Sequence, residues 1–145
     1  SLFILDLLGK QTDLKIVLHT VSNWLEGLIP GAMVSIMLFS EEEQHLNLIS
    51  GGQYFTSAYR NALKNLRIGP NVGACGAAAH YRKMVICEDI FAHPNWKSYQ
   101  KFLIEENISA CWSVPIISAE GTLYGTFATY YGFVAQRFEM QSAPN

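Results

Sequence analysis

Ala110-Cys111-Trp112-Ser113-Val114-Pro115-Ile116-Ile117 and Leu123-Tyr124-Gly125-Thr126-Phe127-Ala128-Thr129-Tyr130-Tyr131 are two runs dense in β-branched and aromatic residues. Ser118-Ala119-Glu120-Gly121 separates them as a turn, and the three pieces together predict a β-hairpin. Working outward, Met33 to Phe39 is apolar except for Ser35 and reads as a buried strand. The polar turn Ser40-Glu41-Glu42-Glu43-Gln44 leads from it to an alternating strand, His45 to Ile49. Two hairpins therefore frame the chain. The segments between them predict a weak helix over Ser57 to Leu66 and a loop at Ile68-Gly69-Pro70-Asn71-Val72-Gly73. An Ala-rich helix from Cys75 to Tyr81 and a short strand from Met84 to Cys87 follow. After irregular backbone from Asp89 to Asn95, Pro94 starts a helix with Tyr99, Phe102 and Leu103 on one face. At the start, apolar positions 14, 17, 18, 21, 25 and 28 predict a helix capped by Thr12 or Asp13 and ended by Pro30-Gly31. Leu2, Leu5 and Leu8 would form a preceding helical turn. The order α-β-β-α-α-β-α-β-β predicts an α+β fold on an antiparallel sheet.

The chain has 145 residues, one domain's worth, and can bury roughly 70% of its unfolded surface. Hydrophobic residues make up 50% and charged residues only 15%, against about 25% charged in an average soluble domain. That excludes a disordered segment and predicts a charge-poor surface, as in a dimer or a piece of a larger protein. The missing initiator Met and the tail Gln141-Ser142-Ala143-Pro144-Asn145 also predict a longer parent. Lys plus Arg is 10 and Asp plus Glu is 12, a net −2 that predicts no nucleic-acid partner. Cys75, Cys87 and Cys111 are odd in number and lack CxxC spacing, which speaks for a reduced compartment and against a disulfide framework or zinc site. No apolar run reaches the 18 or more residues of a membrane span, and the start lacks the basic region of a signal peptide. A cytoplasmic location is expected.

Strict catalytic signatures are missing. There is no GxxxxGK[ST], HExxH or GxSxG, and Gly69-Pro70-Asn71-Val72-Gly73 lacks a phosphate-loop lysine. His80 and His93 lie beside loops that would roof a cavity, where either imidazole could ligate a haem or metal; a structural hydrogen-bonded histidine is the competing reading. Nothing else requires a cofactor, and no metal site is expected. Cys75 sits at a glycine-rich helix entrance that could activate a thiol, or simply demand a small side chain. Cys87 and Cys111 read as inert core thiols. Trp96, Tyr99, Phe102, Trp112, Tyr130 and Tyr131 would either line a pocket for a planar molecule or belong to the core.

Five blocks in order carry a resemblance: Gly73-Ala74-Cys75-Gly76-Ala77-Ala78, Met84-Val85-Ile86-Cys87-Glu88-Asp89-Ile90, His93-Pro94-Asn95-Trp96, Ala110-Cys111-Trp112-Ser113-Val114-Pro115-Ile116 and the run Gly121 to Tyr131. Over about residues 10–131 the chain resembles the GAF domain, especially the subgroup of bacterial sensor kinases and cyclic-di-GMP (GGDEF/EAL) signalling proteins. The resemblance implies a central antiparallel sheet of five to six strands. Terminal helices would lie on one face, and connecting helices and loops would roof a pocket on the other. It implies a domain over 1–135, with an N-terminal helix region over 1–29, and a tail or truncated C-terminal helix over 136–145. The implied pocket residues are Cys75, His80, Asp89, Ile90, His93, Trp96, Tyr99 and Trp112. The implied function is a non-catalytic sensor and dimerisation domain, homodimeric through its terminal helices and coupled to an output domain in the same parent chain. Its small-molecule ligand is unspecified.

Two alternatives remain at this stage. One is a thiol-redox enzyme related to free methionine sulfoxide reductase, using Cys75; the other is a GAF domain with a collapsed pocket. The chain lacks the NKFDE set of cyclic-nucleotide binders and the motifs of bilin binders. Where the reductases carry a further cysteine it has Trp96-Lys97-Ser98-Tyr99. The apolar stretch Phe133 to Met140 also replaces the Pro-containing turn and long last helix of the relatives.

Overall fold

The two hairpins meet edge to edge in one antiparallel sheet. The computed structural model describes residues 11–52 and 55–132. In chain order its elements are α1 (Gln11–Leu28), β1 (Ala32–Ser40), β2 (His45–Gly51), α2 (Ser57–Ala62), β3 (Leu66–Arg67), α3 (Cys75–Tyr81) and β4 (Val85–Cys87). A 3-10 helix (Pro94–Tyr99), α4 (Gln100–Glu106), β5 (Ala110–Ile117) and β6 (Leu123–Tyr131) complete them. The six strands lie in the order β3-β2-β1-β6-β5-β4. The fold is α+β and GAF-like, as the resemblance implies.

Register sorts the side chains between the two faces. Ser35 and Ser113 both pair with Ala128, Met37 pairs with Thr126, and Cys111 pairs with Tyr130 and Cys87. Directly paired residues share a face. One face therefore carries Ser35, Met37, Thr126, Ala128, Tyr130, Cys111, Ser113 and Cys87. Over it pack Phe55, Tyr59 and Leu63, then Ala74, Cys75 and Ala79 of the α3 region, then Ile90, Trp96 and Ile108, forming the main core. The opposite face carries Ile36, Leu38, Ile49, Ile116 and Phe127, against which Leu18 of α1 packs. Two polar contacts fix α1 there: the Ser22 and Ser50 hydroxyls lie 3.0 Å apart, and the Val34 amide donates to the Glu26 carboxylate at 2.9 Å.

Some expectations need correction. The first helix already includes Gln11, so Thr12 and Asp13 lie inside it rather than at its cap. The helix expected over Ser57 to Leu66 ends at Ala62. Asn65 adopts a left-handed φ of 51° and its amide donates to Asn47 Oδ1 at 2.8 Å. The turn lays Leu66 and Arg67 alongside Leu46 and His45 as an edge strand. Pro94 begins a 3-10 helix, and the α-helical turns follow only at Gln100. The turn around Leu2, Leu5 and Leu8 and the tail over 136–145 lie outside the described residues. Among the described residues no helix is long and apolar enough to cross a membrane.

Candidate functional site

The roof over the sheet is built from residues small enough to let backbone approach it. In α3, Cys75, Gly76, Ala77, Ala78 and Ala79 are all buried. Gly76 is required because a Cβ there would fall 2.6 Å from the Val72 Cβ. Gly73, at φ 53°, turns the chain into α3, and a Cβ there would meet the Trp96 ring at 3.5 Å. The rest of the roof is pinned by side chains. His93 Nδ1 accepts from the Asn95 amide at 3.2 Å, and Asp89 Oδ1 accepts from Phe91 and Ala92 at 3.2 and 3.4 Å. Asn95 Nδ2 donates to the carbonyls of Gly73 and Pro70.

Beneath this roof is a cavity of about 20 Å³, room for one water molecule. Its aromatic walls are Tyr59, Trp96, Tyr99 and Tyr130, its aliphatic walls Leu63, Leu66 and Val72, and the turn Gly73-Ala74-Cys75 closes it. None of these side chains carries a charge at neutral pH. Burial pushes the Cys75 thiol up, partly offset by Ser113, Tyr130 and Thr126. Tyr59 and Tyr130 are held well above their ordinary range, chiefly by desolvation, and desolvation also raises Tyr99. Cys111 beside them is raised by burial and by the neighbouring Cys75 and Cys87 thiols. The Cys75 sulfur lies 3.8 Å from the Tyr130 hydroxyl. On the sheet below, the hydroxyls of Ser35, Ser113 and Thr126 are buried without a hydrogen-bond partner, as is Trp96 Nε1. Among the described residues no three His, Cys, Asp or Glu side chains gather as a metal site.

Of the eight residues singled out from the sequence, the structure brings Cys75, Trp96 and Tyr99 together at this cavity. Ile90 is fully buried in the adjoining core. Asp89 is exposed and caps a turn, and half-buried His93 caps the 3-10 helix. His80 is exposed at the end of α3, edge-on to Tyr81, so neither histidine lines the cavity. Trp112 belongs to the opposite face of the sheet, 42% exposed and tilted against Tyr131. The sequence reading missed Tyr59 and the three sheet hydroxyls as possible functional groups. The parity of β6 could have signalled Thr126 and Tyr130 as one set, but not the face they occupy.

A family model for the GAF domain matches residues 11–141. A curated relative, the methyl sulfide methyltransferase-associated sensor of Methanosarcina acetivorans, is 26% identical over 127 residues. That match covers 88% of this chain, which spans 13% of the relative's length. Among solved structures, the GAF domain of a phosphoenolpyruvate-protein phosphotransferase from Coxiella burnetii superposes with TM-score 0.64 at 20% identity, covering 90% of this chain and 76% of that one. Free methionine-R-sulfoxide reductase of Neisseria meningitidis, solved with its substrate, gives 0.62 at 20% identity, covering 88% and 68%. These structural likenesses speak to the fold alone.

Proposed function

The chain belongs to the GAF domain family, and from that premise we propose that it is a non-catalytic sensor domain of a larger cytoplasmic signalling protein. The observation that carries this reading is the small aromatic pocket, partly open, bounded by Trp96, Tyr99, Tyr130 and Cys75. Its roof consists of the two segments joined through Asn95. Its volume of about 20 Å³ seats one water, so a larger ligand displaces part of that roof, and a state with the roof displaced differs in how α3 rests on β5 and β6. Binding then shifts a population between two roof positions, which an output domain in the parent chain can read. The match to a protein named as a sensor supports the same reading, as does membership of the family. A parent of the sensor-kinase or cyclic-di-GMP type is the finer form of the proposal.

Thermal unfolding across a metabolite library tests it. A saturable rise in Tm with a member of the library supports sensing; turnover of a substrate by the purified domain overturns the non-catalytic reading. An absorption spectrum checks at the same time for haem or bilin.

Dimerisation through terminal helices belongs to the proposal. Ile16, Trp24 and Leu28 form an exposed apolar stripe on α1, opposite the side that meets the sheet. A second copy of this chain is the partner proposed for it, consistent with a composition of only 15% charged residues.

The thiol-redox alternative draws on Cys75 standing in the cavity wall. Two facts weigh against it. Burial raises the thiol's pKa, which suppresses the nucleophilic thiolate. The cavity also offers no charged partner for a free amino acid's ammonium and carboxylate groups. Mass spectrometry of Cys75 after exposure to free methionine sulfoxide decides between the readings, an oxidised thiol favouring the enzyme.

A further inference from the structure

The sheet floor beneath the cavity holds more polar groups than folding requires. Ser35 on β1, Ser113 on β5 and Thr126 on β6 are each completely buried, and each hydroxyl lacks a hydrogen-bond partner. They are neighbours by register, since Ser35 and Ser113 flank the small Ala128 from either side and Thr126 precedes Ala128 by two residues on the same face of β6. The Ser113 and Thr126 hydroxyls face the Cys75 sulfur and the Ser35 hydroxyl that of Tyr130, at most as weak hydrogen bonds, and all three lie one layer beneath the cavity lining, with Cys75 and Tyr130 between. Cys75 and Tyr130 in turn bound the cavity. Buried hydroxyls left unpaired destabilise a fold, and native structures keep few of them. Val or Ala at these positions would suit a sheet face that otherwise presents Met37, Ala128 and Cys111.

We propose that Ser35, Ser113 and Thr126 form the hydrogen-bonding floor of the sensor site, and that its ligand is a small uncharged molecule with one polar end and an apolar body. Three features carry the choice of class. The floor supplies only neutral groups that both donate and accept, which suits an amide, alcohol or phenol. The walls are aromatic and aliphatic, without a charged side chain among the described lining residues. An ion taken into that space would be desolvated with nothing to pair with it, whereas a neutral polar end would exchange its water for the hydroxyls. The cavity as it stands holds only one water, so α3 must rise, taking Cys75 off the hydroxyls, as the ligand's body enters against the paired rings of Trp96 and Tyr99. A phosphate-bearing nucleotide, a haem with its propionates and a zwitterionic amino acid all fall outside this class.

The inference rests on the sensor reading, and the experiment separates the two. Probes are matched sets on shared carbon frames from two to seven carbons, each an uncharged amide, a carboxylate and an ammonium; butyramide, butyrate and butylammonium form one set, benzamide, benzoate and benzylammonium another. Tm shift and calorimetric titration are read on the wild-type domain and on Ser113→Ala, Thr126→Val and Thr126→Ser. The expected result is a saturable Tm rise of about 2 °C or more for at least one amide and none for its charged isosteres. S113A and T126V are expected to weaken that binding roughly tenfold while their ligand-free Tm holds or rises, and T126S keeps its affinity. A carboxylate or ammonium that binds as tightly as its amide overturns the uncharged class and leaves sensing intact. Amide binding unchanged in all variants overturns the hydroxyl floor, reducing those groups to water ligands. No shift from any probe overturns this inference, and no shift from the wider metabolite library overturns the sensor reading as well.

Discussion

Gly73 and Asn95 hold each other twice: the Gly73 amide donates to the Asn95 carbonyl at 3.0 Å, and Asn95 Nδ2 donates back to the Gly73 carbonyl at 3.2 Å. The pair ties the loop leading into α3 to the start of the 3-10 helix. Both segments flank the cavity, so this pair couples the two parts of the roof.

Replacing Asn95 by Ala removes the side-chain half of that tie, along with the weaker bond to the Pro70 carbonyl at 3.5 Å. The expected loss is about 1 kcal/mol, or roughly 2–4 °C in Tm for a domain of this size. Amide exchange at Gly73 and Trp96 should quicken relative to β5 and β6. Equal exchange in both proteins would mean the roof is held elsewhere.

Gly76→Ala forces a Cβ against Val72, 2.6 Å from the Val72 Cβ. Overpacking of this kind costs about 1–3 kcal/mol in urea unfolding. Pairing it with Val72→Gly, which removes both the Cβ and the Cγ1 that the new methyl would meet, should recover part of the loss, because both changes act on one contact. Additive losses in the double variant would show that α3, rather than Val72, sets the crowding.

Cys75, Cys111, Tyr59 and Tyr130 all have folded pKa values raised mainly by desolvation. For such acids the unfolded chain gives up protons first as pH rises. The stability they contribute is therefore complete below the unfolded pKa values, and it is lost progressively as pH climbs toward the folded ones. Stability should be flat through neutrality, begin to fall near about pH 8.5 as unfolded thiols ionise, and fall faster near about pH 10 with the phenols. Denaturant titrations from pH 6 to 10.5 measure it. In a Cys75→Ala variant the onset of the fall should be shallower, and an unchanged slope would rule out Cys75 as a contributor.

The framework was legible because it is local. Ala110 to Tyr131 announces both strands and their turn within one stretch, and the spacing from Leu14 to Leu28 declares α1. Leu66 leaves the helix expected over Ser57 to Leu66 for the opposite reason. Two residues become a strand only by pairing with His45 and Leu46, a contact that the segment itself does not encode. The site was half legible. Cys75, Trp96 and Tyr99 could be named from their loops, but Trp112 and Tyr130 belong to adjacent paired strands of similar composition on opposite faces. Both faces of this sheet receive apolar partners, so hydrophobicity alone does not say which one looks at the cavity.

The α1 stripe yields the last prediction. Ile16, Trp24 and Leu28 recur at multiples of four residues, and Thr20 between them turns its hydroxyl to the Ile16 carbonyl at 2.8 Å. The row therefore offers Trp24, 63% exposed, as a large central anchor. A buried Trp at the centre of an interface typically dominates its affinity, so Trp24→Glu should weaken self-association roughly thirtyfold or more. Ile16→Glu should act in the same direction. Neither side chain supports the sheet, where Leu18 and Ser22 make the contacts, so monomer stability should change little. Sedimentation velocity over a concentration series reads both effects together. Wild-type chain that stays monomeric at hundreds of micromolar would remove the homodimer. Association that survives both substitutions would move it off α1.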